Sequence, residues 1–255
     1  MVERLTIDHV GFEKEMDAQK SRSKAAGKFK ANYHDGLDVN TRSEFSGYDH
    51  VTDSGRITEI FVDGQPVQSI SAGQPAQIVL DNTPFYAESG GQVGDVGTLE
   101  TTSARFDVTD TSKQRGAHVH VGVLETGTLK VGDTVQASVN NNLRQAIRLN
   151  HSATNLMHAA LRQVLGTHVH QKGSQVTASR LSLDFAHSEA MKPAEIRAVE
   201  KLVNDQIRAN APVVTEVMPI EQAKTKGAMA LFGEKYDDNV RVLSMGQNNF
   251  SIELC

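Results

Sequence analysis

Hydrophobic positions along the chain change their period twice. Residues 8–32 are dense in charge, and Val10, Phe12 and Met16 supply most of their apolar surface. So thin a stripe predicts a helix that packs weakly. Residues 33–46 carry Gly, Asp, Asn and Ser and read as a linker. From residue 47 the period shortens to that of strands. The runs RITEIFVDG, PAQIVLD, SARFDVTDTS, AHVHVGVLE and TVQASVN alternate or are rich in β-branched residues, with Gly, Asp, Asn and Pro between them. Five or six short strands within roughly 90 residues predict a small antiparallel barrel.

At about Asn142 the pattern turns helical. Leu143, Ile147, Thr154, Met157, Leu161 and Leu165 fall near one side, with Asn150, His151 and His158, and Gly166 is placed to end the helix. SRLSLDFAH predicts a strand. SEAMKPAEIRAVEKLVNDQIRAN predicts a helix with Pro193 near its first turn and apolar residues at 196, 199, 202, 203 and 207. PVVTEVMP predicts a strand, IEQAKTKGAMALF a short helix, and NVRVLSMG with NFSIELC a closing strand pair. The expected class is α+β: an N-terminal helix, a small antiparallel β-barrel, then a two-layer α+β domain. The expected boundaries are 1–46, 47–140 and 141–255.

Composition narrows this picture in three ways. No apolar run approaches the roughly 20 residues that cross a bilayer, and the charged N-terminus does not read as a signal peptide. A single cysteine, Cys255, excludes an internal disulfide and suits a reducing cytoplasm. A net charge of -5 argues against a general polyanion binder but leaves room for local basic patches.

Three stretches carry candidate chemistry. His151 and Asn155 lie four apart on one helical face, the spacing at which two side chains can share a metal ion. Asparagine is a poor zinc ligand, because its neutral amide oxygen is hard while zinc prefers imidazole and thiolate. A plain polar helix face is the competing reading. FYAESGGQVGDVG, residues 85–97, sets Glu88, Ser89, Gln92 and Asp95 around Gly90 and Gly91, where the backbone can approach a ligand closely. A structural barrel turn explains those glycines equally well. GTHVHQKGSQV, residues 166–176, offers Gln171 to a small polar substrate. Lys172, with Arg144, Arg148 and Arg162, could meet phosphates, or could be ordinary solvated residues.

Taken in order, GFEKEMDAQKSR, FYAESGGQVGD, RLNHSAT, LMHAALRQVLGTHVHQKGS and KGAMALFGEKY…VRVLSMG…FSIELC strongly resemble alanyl-tRNA synthetase over nearly the whole chain. The resemblance covers the end of the tRNA-recognition helices, the β-barrel and most of the editing domain. It implies hydrolysis of tRNA(Ala) mischarged with serine or glycine, with the tRNA acceptor end as partner, no DNA or membrane partner, and a cytoplasmic location. In the family, His-x-x-x-His and Cys-x-x-x-His hold zinc. His151 and Cys255 match the first and third of these ligands, Asn155 stands at the second, and the fourth has no counterpart here. Zn2+ is therefore expected to bind weakly or not at all. The resemblance assigns the reaction to His151, Thr154 and Gln171, and tRNA contacts to Glu88, Ser89, Gly90, Gly91, Gln92, Arg148 and Lys172. The aminoacylation core, with its ATP, and the oligomerisation domain have no counterpart in this sequence. An inactive tRNA-binding module, a relative of the free-standing alanyl-tRNA deacylases, and an unrelated glycine-rich barrel are the alternatives.

Overall fold

A computed structural model of the chain describes residues 8–26, 37–228 and 238–254. The expectations for residues 27–36, for 229–232 of the short helix and for Cys255 lie outside the described residues. Helix α1 (His9–Ala26) starts beyond Asp8, whose carboxylate accepts the Gly11 N–H at 2.9 Å. Phe12 remains 60% exposed, in keeping with the thin apolar stripe.

Eleven strands follow: β1 (Glu44–Phe45), β2 (Thr52–Val62), β3 (Gln65–Val67), β4 (Ser69–Ser71), β5 (Pro75–Leu80), β6 (Asn82–Thr83), β7 (Gly97–Glu100), β8 (Arg105–Gln114), β9 (Ala117–Thr126), β10 (Thr128–Lys130) and β11 (Thr134–Val139). Six of them close into an antiparallel barrel in the order β2, β5, β9, β8, β7, β11, and β11 pairs back onto β2 from Thr134 opposite Arg56 to Ser138 opposite Thr52. Closure leaves no free edge on these strands. Alternation drives the inward side chains together: Ile57, Ile60, Ile78, Leu80, Leu99, Phe106 and Leu124 fill the interior. Bulges at Ile57/Glu59 and Val108/Asp110 supply the curvature.

Strand β5 is buried on both faces, because Leu37 and Val39 pack with Phe61, Val79, Ala117 and Val119 on the outside of the barrel. Residues 37–46, which read as a linker, thus lie on the barrel wall, and β1 pairs in parallel with β6. The two apolar residues in a polar stretch carry that packing.

The second half is built on helix α2 (Asn141–Leu165), capped by the Asn140 side chain, which accepts the Leu143 N–H at 3.2 Å. The hairpin β12 (His170–Val176) and β13 (Leu181–Ala186) follows, then helix α3 (Pro193–Ala209) with Pro193 in its first turn, as expected. Strand β14 (Val214–Pro219), helix α4 (Ile220–Thr225), β15 (Asn239–Met245) and β16 (Ser251–Leu254) complete the fold, with a sheet in the order β14-β15-β16. Ala160, Leu161, Val169 and Val199 form the core between α2, α3 and the hairpin, while Met218, Ala223, Val240 and Val242 form that of the last sheet. The α+β class and the closed barrel agree with the sequence pattern. Strand β12 differs: HQKGSQV lacks an apolar alternation, and its pairing with LSLDFA makes it a strand. Among the described residues no helix is long and apolar enough to cross a membrane.

Candidate functional site

Where the barrel meets α2, β12 and the last sheet, there is a cavity of about 700 Å³. Its position follows from two ties. The first is Arg144, in the first turn of α2, which is buried against the barrel. Its Nε lies 2.9 Å from both carboxylate oxygens of Asp95, and Nη2 also donates to Asp95. Nη1 donates to the Gly47 carbonyl at 2.9 Å and Nη2 to the Pro84 carbonyl at 2.7 Å. Asp95 in turn accepts the Tyr86 N–H at 2.7 Å. Each guanidinium nitrogen thus has a partner within the protein, and Arg144, though it lines the cavity, aims α2 across the barrel rim. Arg162 donates to the Val169 carbonyl at 2.8 Å and braces the end of the same helix.

The second tie is the ESGGQ turn. Ser89 and Gln92 exchange backbone hydrogen bonds, and the turn is stitched to β12 by Val176 N–H to the Gly91 carbonyl at 2.8 Å and Val93 N–H to the Val176 carbonyl at 3.1 Å. Gly91 has a φ of 83°, and a Cβ there would come within 2.3 Å of the Ser174 carbonyl oxygen. Glycine is required by conformation and by space at once.

Both ties converge on His151. Its Nδ1 lies 2.6 Å from Oε1 of the buried Gln92, 59 positions earlier. With that oxygen as acceptor, Nδ1 carries the proton and Nε2 keeps the ring's lone pair. Burial lowers the pKa of His151, so the neutral ring is favoured. Thr154 is buried one turn on and donates its hydroxyl to the Asn150 carbonyl at 2.8 Å. Gln171 on β12 donates to Ser174 Oγ at 3.2 Å, and Ser174 to the Gly90 carbonyl at 3.3 Å.

The cavity thus gathers His151, Thr154, Asn155, Gln171, Arg148, Ser89, Gly90 and Gln92 of the residues picked from sequence. Glu88 and Lys172 are exposed and do not line it, and Gly91 supports it from behind. His158 is buried away from it, with no hydrogen-bond partner for Nε2 among the described residues. Cys255 lies outside the described residues, but its neighbours Glu253 and Leu254 line the cavity, and Ser251 lies 3.5 Å from the Asn155 carbonyl. Among the described residues no three His, Cys, Asp or Glu side chains gather to hold a metal. Of the expected ligands, His151 stands among the described residues beside the neutral amide of Asn155, while Cys255 lies outside them.

Four groups at the cavity were missed from sequence. Glu253 accepts from Ser251 Oγ at 2.5 Å, and burial raises its carboxyl pKa to about 7. His118 holds its ring by Nδ1, 2.7 Å from the Phe85 carbonyl. An aromatic group of Phe45, Tyr48 and Tyr86 forms the barrel-side wall, and Arg241 of β15 reaches over it. Only the alternation of SIELC, which sets Ser251 and Glu253 on one face, offered a clue to any of these.

The family model described as tRNA synthetases class II (A) matches residues 2–143, more than half of the 255-residue chain. The match takes in α1, the barrel and the ESGGQ turn and ends at the first turn of α2, so the barrel wall of the cavity falls inside it and His151 beyond it. With this match over the whole barrel, the chain belongs to the class II (A) tRNA synthetases, the family domain of the alanyl-tRNA synthetases, an enzyme family whose partner is tRNA.

Proposed function

We propose that this chain is the editing portion of an alanyl-tRNA synthetase, acting in the cytoplasm on tRNA(Ala) mischarged with serine or glycine. The observation that carries this reading is the Gln92–His151 contact. It joins the glycine turn of the barrel to α2 and leaves the acceptor nitrogen of a half-buried imidazole at a cavity lined by Thr154 and Gln171.

The ester joins the amino acid's carbonyl to a ribose oxygen of the terminal adenosine. Water adds to that carbonyl carbon and gives one proton to His151 Nε2. The carbonyl oxygen takes the negative charge, the bond to the ribose oxygen breaks, and the ribose oxygen takes the proton back from Nε2. Thr154 spends its own proton on Asn150, so its lone pairs can accept a serine hydroxyl. The Gln171 carbonyl oxygen offers a second acceptor. Such a site is useful because a synthetic pocket distinguishes glycine or serine from alanine by only about 1–3 kcal/mol. Zinc, where it binds at all, binds weakly for want of a second imidazole at Asn155.

A second reading, an inactive tRNA-binding module, is favoured by Asn155 itself, which removes a ligand and leaves the cavity intact. Hydrolysis of seryl-tRNA(Ala), measured with the zinc content of the purified protein, separates the two. The editing reading expects slow release of serine, accelerated by Asn155→His and abolished by His151→Ala. Tight tRNA binding with no release above the spontaneous rate would establish the binding module. Release that His151→Ala leaves unchanged would remove this cavity from the reaction.

A further inference from the structure

The residues placed at the ester are only part of the cavity's lining. Serine and glycine are small and polar, yet the barrel-side wall is aromatic. Phe45 stands at its centre, with Tyr48 at 4.9 Å and 77°, Tyr86 at 6.1 Å and 70°, and the His118 ring at 5.3 Å. Tyr48 remains 51% exposed. Across the cavity, Arg241 places its guanidinium carbon 4.1 Å from the Tyr48 ring centre and donates to Thr215 Oγ1 at 3.4 Å. Lys113 and Arg148 also line the cavity.

Rings packed edge to face, a guanidinium over the half-exposed Tyr48 and flanking cations suit one ligand chemistry: an unstacked nucleobase with its phosphates. An aminoacyl side chain of at most two heavy atoms, as in serine, cannot cover this wall. We infer that the terminal base of a single-stranded RNA 3′ end stacks against the Tyr48–Arg241 pair, with Lys113 and Arg148 beside its phosphates. This assignment rests on the editing reading and adds the nucleoside half of its substrate. It divides the cavity into an ester end, held by α2 and β12, and a base end, held by the barrel rim and β15. Tyr86 links the two, because its hydroxyl donates to the Ser89 carbonyl in the glycine turn at 3.2 Å. A base seated on the wall therefore positions the ester on the side of the turn that holds Gln92. Tyr48 and Arg241 are positioning residues in this scheme.

The test uses an RNA hairpin with a single-stranded 3′ tail ending in 2-aminopurine, whose fluorescence falls on stacking. Anisotropy of a dye on the hairpin loop reports binding separately. The full chain is expected to bind the hairpin and quench the 2-aminopurine. Tyr48→Ala and Arg241→Leu each remove most of the quench and raise Kd about 10-fold, the order of one lost base stack. Tyr48→Phe keeps both. A hairpin shortened by its last nucleotide binds wild type and Tyr48→Ala equally, which a general folding defect would not produce. Binding without quenching, or equal quenching by Tyr48→Ala, overturns this inference and leaves the tRNA reading standing. Failure of every hairpin to bind overturns both.

Discussion

Removing the Asp95 carboxylate tests how the site is held together. In Asp95→Ala, the Arg144 guanidinium keeps only the Gly47 and Pro84 carbonyls and loses its one counter-charge in a buried position. Stripping one partner from a buried ion pair costs about 3–5 kcal/mol. The Tyr86 N–H loses its acceptor as well, adding about 1 kcal/mol. A cavity left by the lost side chain adds to this, while water entering beside Arg144 offsets part of it. The expected loss is about 3–5 kcal/mol, a large share of the roughly 5–15 kcal/mol available to a folded chain. Urea unfolding followed by circular dichroism measures it directly. Arg144→Met should cost a comparable amount, for it strands the Asp95 charge and two carbonyls. The double variant should lose less than the sum of the two single losses, by a coupling of about 2 kcal/mol or more. Additive single effects, or an Asp95→Ala loss below about 1 kcal/mol, would refute the idea that this pair ties α2 to the barrel.

Three further outcomes follow from the same geometry. Gly91→Ala should destabilise by about 2 kcal/mol or more and loosen the turn from β12, whereas Gly90→Ala, at a φ of 57° with open space, should cost about 1 kcal/mol; equal losses in thermal unfolding would contradict the close approach to Ser174. His120 is buried and neutral, with Nδ1 donating to the Ile78 carbonyl at 2.9 Å and Nε2 accepting from Thr83 at 2.8 Å, and burial lowers its pKa from 6.5 to about 4. The unfolded chain takes its proton first, so stability is complete above about pH 6.5, falls by about 3 kcal/mol on the way to pH 4 and levels off below it; unfolding curves of His120→Gln with the same pH slope as wild type would exclude this source. Gln92→Leu should lower serine release from seryl-tRNA(Ala) about 100-fold by freeing the His151 ring; tRNA affinity should change little, and unchanged release would show that the ring needs no such support.

Local chemistry in the chain specified a good deal. The alternation in TVQASVN, the apolar spacing of α3 with Pro193 at its start, and the helical face that carries His151, Thr154 and Asn155 are short-range patterns. Each reports which side of an element is buried. The glycines of ESGGQ marked a sharp turn for the same reason. None of these patterns names a partner far along the chain. Which carboxylate neutralises Arg144, which amide holds His151 and which strand accepts the polar run HQKGSQV depend on barrel closure and on where α2 leaves the rim. Leu37 and Val39 sit in a stretch too polar to read as packed, and the barrel's outer face buries them. The wall of Phe45, Tyr48 and Tyr86 comes from two segments about 40 positions apart, joined by Arg241 from the far end of the chain. Pairing across such separations is decided by three-dimensional packing, because side chains that meet only after folding leave no periodic trace in the order of residues.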